Sequence, residues 1–140
     1  LTGEAGIGKT RLAEEMLDWA ERQGIVTLTA VCYPSEKQLA YAPVAKWLRA
    51  ESLQPVFGHL QKRQLVECSR LLPELQNQHR DLPDPSPLSE SWQRQHLFSA
   101  LAQTMLSVDQ PFLLFVDDLP WSDQETLDWL QFLLRFEPGA

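Results

Sequence analysis

The sequence feature that most constrains this chain is an octapeptide close to its first residue. Residues Gly3 to Thr10 read GEAGIGKT, which fits the pattern G-x-x-x-x-G-K-[ST] without a mismatch. With glycine at about 7% of residues in proteins, a chance match in a chain of 140 residues has odds of roughly half a percent. The glycines let successive backbone N–H groups converge on an anion, and the following helix adds the positive end of its dipole. The octapeptide therefore predicts a phosphate-binding loop of the Walker A type.

Two side chains of this loop carry charge and oxygen chemistry that backbone amides cannot supply. The Lys9 ammonium is predicted to lie between the β- and γ-phosphates of a nucleotide as a catalytic group, and the Thr10 hydroxyl is predicted to be a Mg²⁺ ligand. The full set predicted to contact the nucleotide is Gly3, Glu4, Ala5, Gly6, Ile7, Gly8, Lys9, Thr10 and Arg11.

The segment after the loop has the pattern of a helix followed by a strand. Leu12, Met16, Leu17 and Ala20 recur at helical spacing, and Gly24 suits the position that closes such a helix near Gln23. The stretch 25–32, IVTLTAVC, is β-branched and almost continuously apolar, which is typical of a strand covered on both faces of a parallel sheet.

A second motif, FLLFVDD, occupies residues 112–118. Bulky apolar residues that end in two acids indicate a buried strand that delivers carboxylates to its carboxyl edge, where doubly wound sheets bind their ligands. In this Walker B interpretation Asp117 holds Mg²⁺, directly or through water, and Asp118 is the catalytic group that orients or deprotonates the attacking water. A buried strand followed by an acidic turn without chemistry is the alternative, and the intact Walker A motif disfavours it.

The remaining segments are predicted to be mostly helical. The stretch 41–50 looks like a helix opened by Pro43, and a further helix is expected over about 62–72, ended by Pro73. The proline-rich stretch 77–87 is predicted to be an exposed loop, and a long helix is expected over about 89–107. Ser122 and Glu125 fit an S-x-x-E capping box that opens a last helix, with Leu127, Leu130, Leu133 and Leu134 on its apolar face.

Composition excludes several classes of protein. The chain has a net charge of −7 and no cluster of lysine and arginine, so this segment is not expected to bind nucleic acid or an anionic membrane directly. Cys32 and Cys68 lie far apart without metal-ligand spacing, and neither a signal peptide nor a membrane span is visible. A reduced, cytoplasmic domain is therefore expected.

Together, GEAGIGKTRL and LLFVDDLPWSDQETLDWLQFL resemble the STAND branch of AAA-like P-loop ATPases, most closely the ATPase domain of MalT-like bacterial signalling and transcription regulators. The resemblance implies an α/β fold with a parallel sheet flanked by helices, ATP and Mg²⁺ as ligands, and slow hydrolysis that serves a nucleotide-dependent switch. It also implies ATP and ADP exchange, contacts with other domains of the same polypeptide, and nucleotide-dependent self-association.

Residues 1–140 are expected to form a partial ATP-binding domain, because a P-loop normally follows a buried strand and the family carries further strands after its Walker B motif. Two alternatives stay open on the sequence. One is a P-loop kinase acting on a small molecule, although no arginine-rich lid is visible. The other is an interaction scaffold that does not hydrolyse nucleotide.

In the complete domain, Lys9→Ala is expected to abolish tight binding of ATP·Mg, because the backbone amides alone only partly offset the phosphate charge. Calorimetric titration with ATP·Mg measures the effect. Unchanged affinity in the variant would show that residues 3–10 are not the phosphate site.

Overall fold

The computed structural model describes residues 7–79, 81–108, 110–117 and 119–136, and for residues 7–10 and 119 it describes the backbone alone. Seven helices and two strands lie in these ranges: α1 (Ile7–Arg22), β1 (Val26–Val31), α2 (Ala42–Leu48), α3 (Gln54–Phe57), α4 (Lys62–Ser69), α5 (Glu74–Gln78), α6 (Ser91–Leu106), β2 (Phe112–Asp117) and α7 (Gln124–Arg135). Short 3-10 turns cover Pro34–Glu36, Glu51–Leu53 and Leu119–Trp121. None of the described helices is both long and apolar enough to cross a lipid bilayer.

The two strands pair in parallel, with Val26 opposite Phe112 and Val31 opposite Asp117. Parallel pairing requires a crossover, and the helices α2 to α6 supply it. Helices α1 and α2 pack against β1, and α6 packs against α4 and α7. The predicted fold class, a parallel sheet flanked by helices, is confirmed.

The core lies between the sheet and the helices of the crossover. Its centre consists of large side chains with 2% exposure or less, among them Leu28, Val44, Trp47, Leu48, Leu53, Leu72, Leu97, Leu101, Met105 and Trp129. The Nε1 donors of its two tryptophans are satisfied, since Trp47 donates to the Phe115 carbonyl at 3.3 Å and Trp129 to the Phe98 carbonyl at 3.2 Å. Burial of these rings therefore leaves no unpaired donor.

The opposite face of the sheet is less covered than the sequence predicted. Helix α1 lies on this face, where Thr27 Oγ1 donates to Glu21 Oε1 at 3.1 Å. Thr29, on the same face of β1, is nevertheless exposed, so the expectation that both faces of the strand are covered is wrong for this part of the chain. One helix cannot cover both strands.

The buried side of α1 is also not the side that the apolar spacing in the sequence indicates. Ala13 and Ala20 are buried, whereas Leu12 and Met16 are 47% and 46% exposed and Trp19 is 57% exposed. Small side chains let the helix axis approach the sheet closely, which explains why the alanines and not the larger residues face it.

Several predicted boundaries differ from those observed. The helix expected over 62–72 ends at Ser69, and Pro73 is the N-cap of α5 instead of only ending a helix. Helix α5 also takes in Asn77 and Gln78, which were expected in a loop, while 83–87 is irregular as predicted. The N–H of an N-cap residue makes no hydrogen bond within the helix, so proline, which lacks that N–H, can precede a helix as well as follow one.

Gly24 closes α1 as predicted, with φ of +79° in the left-handed region. Gly24→Ala is expected to lower the free energy of unfolding by about 1 kcal/mol, because an L side chain is strained there even though a Cβ would meet nothing within 4 Å. Urea denaturation measures the change. Gly58→Ala is the matched control, since Gly58 has φ of −70° and its added Cβ would meet the Pro55 carbonyl oxygen at an ordinary 3.6 Å. Equal losses in the two variants would contradict the strain at Gly24.

Candidate functional site

The start of α1 and the ends of both strands lie at one edge of the sheet. A turn at Gln23 and Gly24 reverses the chain, with Ile25 N–H bonded to the Ala20 carbonyl at 2.9 Å, so α1 runs back along β1. Its 16 residues span about 24 Å and the six residues of β1 about 20 Å. The first turn of α1 therefore lies near the carboxyl edge of the sheet.

The residues predicted to contact phosphate fall partly within this first turn. Ile7 is the first residue of α1, and the backbones of Gly8, Lys9 and Thr10 follow in its first turn, which lacks acidic residues. The first four predicted contacts (Gly3, Glu4, Ala5 and Gly6) lie outside the described residues. A first helical turn without acidic side chains is electrostatically suited to an anion.

Arg11, the last member of the predicted set, has an exposed side chain. Its Nε lies 3.4 Å from Glu15 Oε1, one helical turn further along α1. An exposed pair of this kind contributes little to stability, so it leaves Arg11 able to exchange partners.

Asp117 is the last residue of β2, and its side chain is exposed at the carboxyl edge. Its backbone is fixed, because its carbonyl accepts the Cys32 N–H at 2.9 Å. No ion pair to Asp117 occurs among the described residues. A carboxylate in this position is the hard oxygen ligand that Mg²⁺ prefers, and so the residue fits the predicted metal. Asp118 lies outside the described residues.

Within the described ranges, no cluster of three His, Cys, Asp or Glu side chains could hold a metal ion by itself. Mg²⁺ that is bound together with a nucleotide typically takes one or two carboxylates from the protein, and phosphates and waters supply its other ligands.

Lys46, which the sequence did not single out, contacts the last residue of β1 at the same edge. Its Nζ donates to the Val31 carbonyl at 2.7 Å and to Glu36 Oε1 at 2.8 Å, and lies 4.9 Å from the centre of the Tyr33 ring. These contacts tie α2 to the end of β1. The position of Lys46 in the helical pattern of the sequence does not predict this contact.

Cys32 is buried directly beyond β1, where burial raises the pKa of its thiol and a hydrogen bond with Ser122 partly opposes that rise. The thiol is therefore protonated near neutral pH and is no nucleophile.

The capping box predicted for α7 is wrong. The N-cap is Asp123, not Ser122, and its Oδ2 accepts the Thr126 N–H at 2.9 Å while its Oδ1 accepts the Thr126 hydroxyl at 2.7 Å. Glu125 does not complete a box but points to other helices. A carboxylate accepts the N3 amide better than a hydroxyl can, since the acceptor is charged.

Asp123 also contacts a distant part of the chain. Its Oδ2 accepts the backbone N–H of Tyr41 at 2.8 Å across 82 positions, and the Asp123 side chain is almost fully buried. Tyr41 precedes α2 and has φ of +63° and ψ of +23°, a left-handed conformation that is uncommon for residues other than glycine.

The Tyr41 side chain joins a polar cluster between α6 and α7. Its hydroxyl donates to Glu125 Oε2 at 3.2 Å, and Arg94 Nη2 donates to the same oxygen at 3.2 Å and to Asp128 Oδ2 at 2.7 Å. The Arg94 guanidinium also lies over the Phe98 ring, 4.7 Å from its centre. These contacts connect the start of α2 with the two helices that flank it.

Burial and the neighbouring Glu125 raise the pKa of the Tyr41 phenol to about 12 from its ordinary value of 10.0. The folded state therefore holds this proton more tightly than the unfolded chain, so the stabilisation is present below pH 10 and is lost as the pH rises to about 12. Tyr41→Phe is expected to remove the step near pH 12 from the tyrosinate absorbance titration. At neutral pH the loss of the hydroxyl bond lowers the free energy of unfolding by about 1 kcal/mol. A titration in which Tyr41→Phe keeps that step would contradict the assignment.

One of the comparisons with known proteins gives a match. The family model described as "AAA ATPase domain" matches residues 1–138, nearly the entire chain. Neither a curated protein nor a solved structure matches significantly. The match includes both the Walker A residues 3–10 and the acidic residues at 117–118, and the chain therefore belongs to the AAA ATPase domain family.

Proposed function

We propose that this chain binds ATP·Mg at the carboxyl edge of its sheet and hydrolyses it slowly, as the nucleotide switch of a multidomain bacterial signalling or transcription regulator. Membership in the AAA ATPase domain family implies ATP binding and hydrolysis in general terms. The observation that supports the proposed site is the meeting of two motifs at one edge: the first turn of α1 and Asp117 at the end of β2.

The roles of the loop residues follow from their chemistry. The backbone amides of residues 3–10 and the dipole of α1 would hold the β- and γ-phosphates, and the Lys9 ammonium would neutralise charge that develops between them. The Thr10 hydroxyl and Asp117 carboxylate would hold Mg²⁺, which supplies charge neutralisation on the phosphate oxygens when bound.

Asp118 is proposed as the residue that orients the attacking water and accepts its proton. It directly follows Asp117, whose backbone is fixed by Cys32, so the chain direction at the end of β2 is set.

The regulatory context rests on sequence resemblance. The run DDLPWSD at residues 117–123 resembles the corresponding segment of STAND proteins, whose ATPase domains are usually joined to DNA-binding, cyclase, kinase or helical-repeat modules. We accordingly propose that the partners are other domains of the same polypeptide, together with copies that associate in a nucleotide-dependent manner.

The test is the turnover of ATP·Mg by the complete protein, alone and with candidate small-molecule acceptors. A switch is expected to hydrolyse ATP slowly without an acceptor. Turnover that requires an acceptor would indicate a kinase, and tight binding without turnover would indicate a scaffold; either result would overturn the switch proposal.

Two variants in the same assay separate the acids. Asp117→Asn is expected to weaken chiefly the Mg²⁺ dependence of binding, because an amide is a poorer ligand for a hard cation. Asp118→Asn is expected to leave binding nearly intact and to lower kcat by about 100-fold, the usual contribution of a general base. Hydrolysis at the parent rate by Asp118→Asn, with none by Asp117→Asn, would show that Asp118 is not the base.

A further inference from the structure

We propose that Asp123 is a positioning residue for ATP hydrolysis: its carboxylate fastens the segment that follows β2 to the start of α2 and thereby keeps the acidic end of β2 in its working arrangement. The inference rests on the proposed ATPase function and adds a residue that does not itself touch the nucleotide.

Asp123 makes more contacts than a helix cap requires. One acceptor for the Thr126 N–H would cap α7, yet the same Oδ2 atom also accepts the Tyr41 N–H, and Oδ1 accepts the Thr126 hydroxyl. The hydrogen bonds from the Tyr41 and Thr126 N–H groups to Oδ2 measure 2.8 and 2.9 Å, and the Asp123 side chain is 4% exposed. Hydrogen bonds to a buried carboxylate are the stronger kind, so this contact between distant segments is well defined.

The partner of this contact is rigidly held. Helix α2, which Tyr41 precedes, buries Trp47 and Leu48 completely and donates from Trp47 Nε1 to the Phe115 carbonyl of β2. Lys46 attaches the same helix to the end of β1. Asp123 is thus fastened to a helix that is itself fixed to both strands.

The short connection from Asp117 to Asp123 is consequently held at both ends. At its start the Asp117 carbonyl accepts the Cys32 N–H, and near its end the Ser122 side chain is buried and donates to the Asp123 carbonyl at 3.4 Å. Asp123 then supplies the bond to Tyr41. Loss of that bond would leave the end of this connection without its tie to the start of α2, and small displacements of catalytic groups lower rates strongly.

Tyr41 provides a second sign that this contact constrains the backbone. Its left-handed conformation is maintained by two hydrogen bonds, from its N–H to Asp123 and from its hydroxyl to Glu125. The ring also packs edge-on against Phe98, whose ring centre is 6.3 Å away. A residue in this region reverts to a more common conformation when its contacts are removed.

Three variants of the complete protein separate positioning from capping and from stability. Asp123→Ser keeps an acceptor for the Thr126 N–H but is too short to reach Tyr41 as well. Asp123→Asn keeps one oxygen that can accept both amides, and its NH₂ group can donate to the Thr126 hydroxyl. Thr126→Val removes the hydroxyl bond to Asp123 without cutting the contact with Tyr41.

The expected result is a split between binding and turnover. Asp123→Ser is expected to lower kcat about tenfold or more while its Kd for ATP·Mg changes less than about twofold. Asp123→Asn is expected to restore kcat to within about threefold of the parent. Thr126→Val is expected to lower the Tm by a few degrees without a comparable fall in kcat.

The outcomes that would overturn the proposal are distinct. Parental kcat in Asp123→Ser would show that the contact with Tyr41 is dispensable. An equal fall of kcat in Asp123→Asn and Asp123→Ser would show that the charge of Asp123 matters and not its position. An equal fall of kcat in Thr126→Val would show that the variants act only by lowering stability. A parent protein without turnover would overturn the ATPase proposal and this inference with it.

Position 41 provides a second pair of variants should Asp123→Ser fail to fold. Tyr41→Gly and Tyr41→Ala both remove the side chain, but only glycine adopts the left-handed conformation readily and so keeps its amide on Asp123. The kcat of Tyr41→Gly is expected to exceed that of Tyr41→Ala by about threefold or more. Equal kcat values in the pair would overturn the proposal.

Discussion

The parallel pairing of β1 with β2 is the constraint on which the rest of the structure depends. It sets Val31 beside Asp117, and since α1 runs back along β1, it also brings the first turn of that helix to the same edge. Two motifs more than a hundred positions apart in the sequence are thus brought to the same edge of the sheet. Because the chain has a net charge of −7, the proposed anion site would depend on local backbone amides and on Lys9, and not on the overall field of the chain.

Much of this arrangement is encoded locally and could be predicted. The two apolar runs became strands that pair in parallel, and Gly24 ended α1 through its positive φ. The bounds predicted for the long helix before β2 were correct to within two residues. Such features depend on neighbours within one or two turns of the chain. The last helix shows the limit of this reasoning, because S-x-x-E from Ser122 and D-x-x-T from Asp123 overlap by one position, and only tertiary contacts select the second.

The contacts that complete the edge left no trace in the sequence pattern. Tyr41 stood before a predicted helix, yet neither its left-handed backbone nor its bond to Asp123 is implied by any residue near it. Nothing in the sequence pattern singled out Lys46, yet its Nζ donates to the Val31 carbonyl at the end of β1. Similarly, Leu12 and Met16 had the spacing of a buried face, but the close approach of α1 to the sheet selected the alanines. Packing distance decided these cases, and single-sequence periodicity does not report it.

The long crossover between the strands also affects how the chain is made. Closing a loop of 82 residues costs chain entropy on the order of 4 kcal/mol. The pairing of β1 with β2 closes nearly the same loop as the Tyr41–Asp123 hydrogen bond. Once one of these contacts has formed, the other therefore costs little further chain entropy. At ribosomal rates, Val26 emerges on the order of 10 s before its partner Phe112. During that interval β1 is an unpaired, β-branched segment. Thr27 and Thr29 interrupt its apolar run and lower its tendency to associate with other nascent chains. The polar residues on the incompletely covered face of the finished sheet thus protect the chain before the sheet has formed.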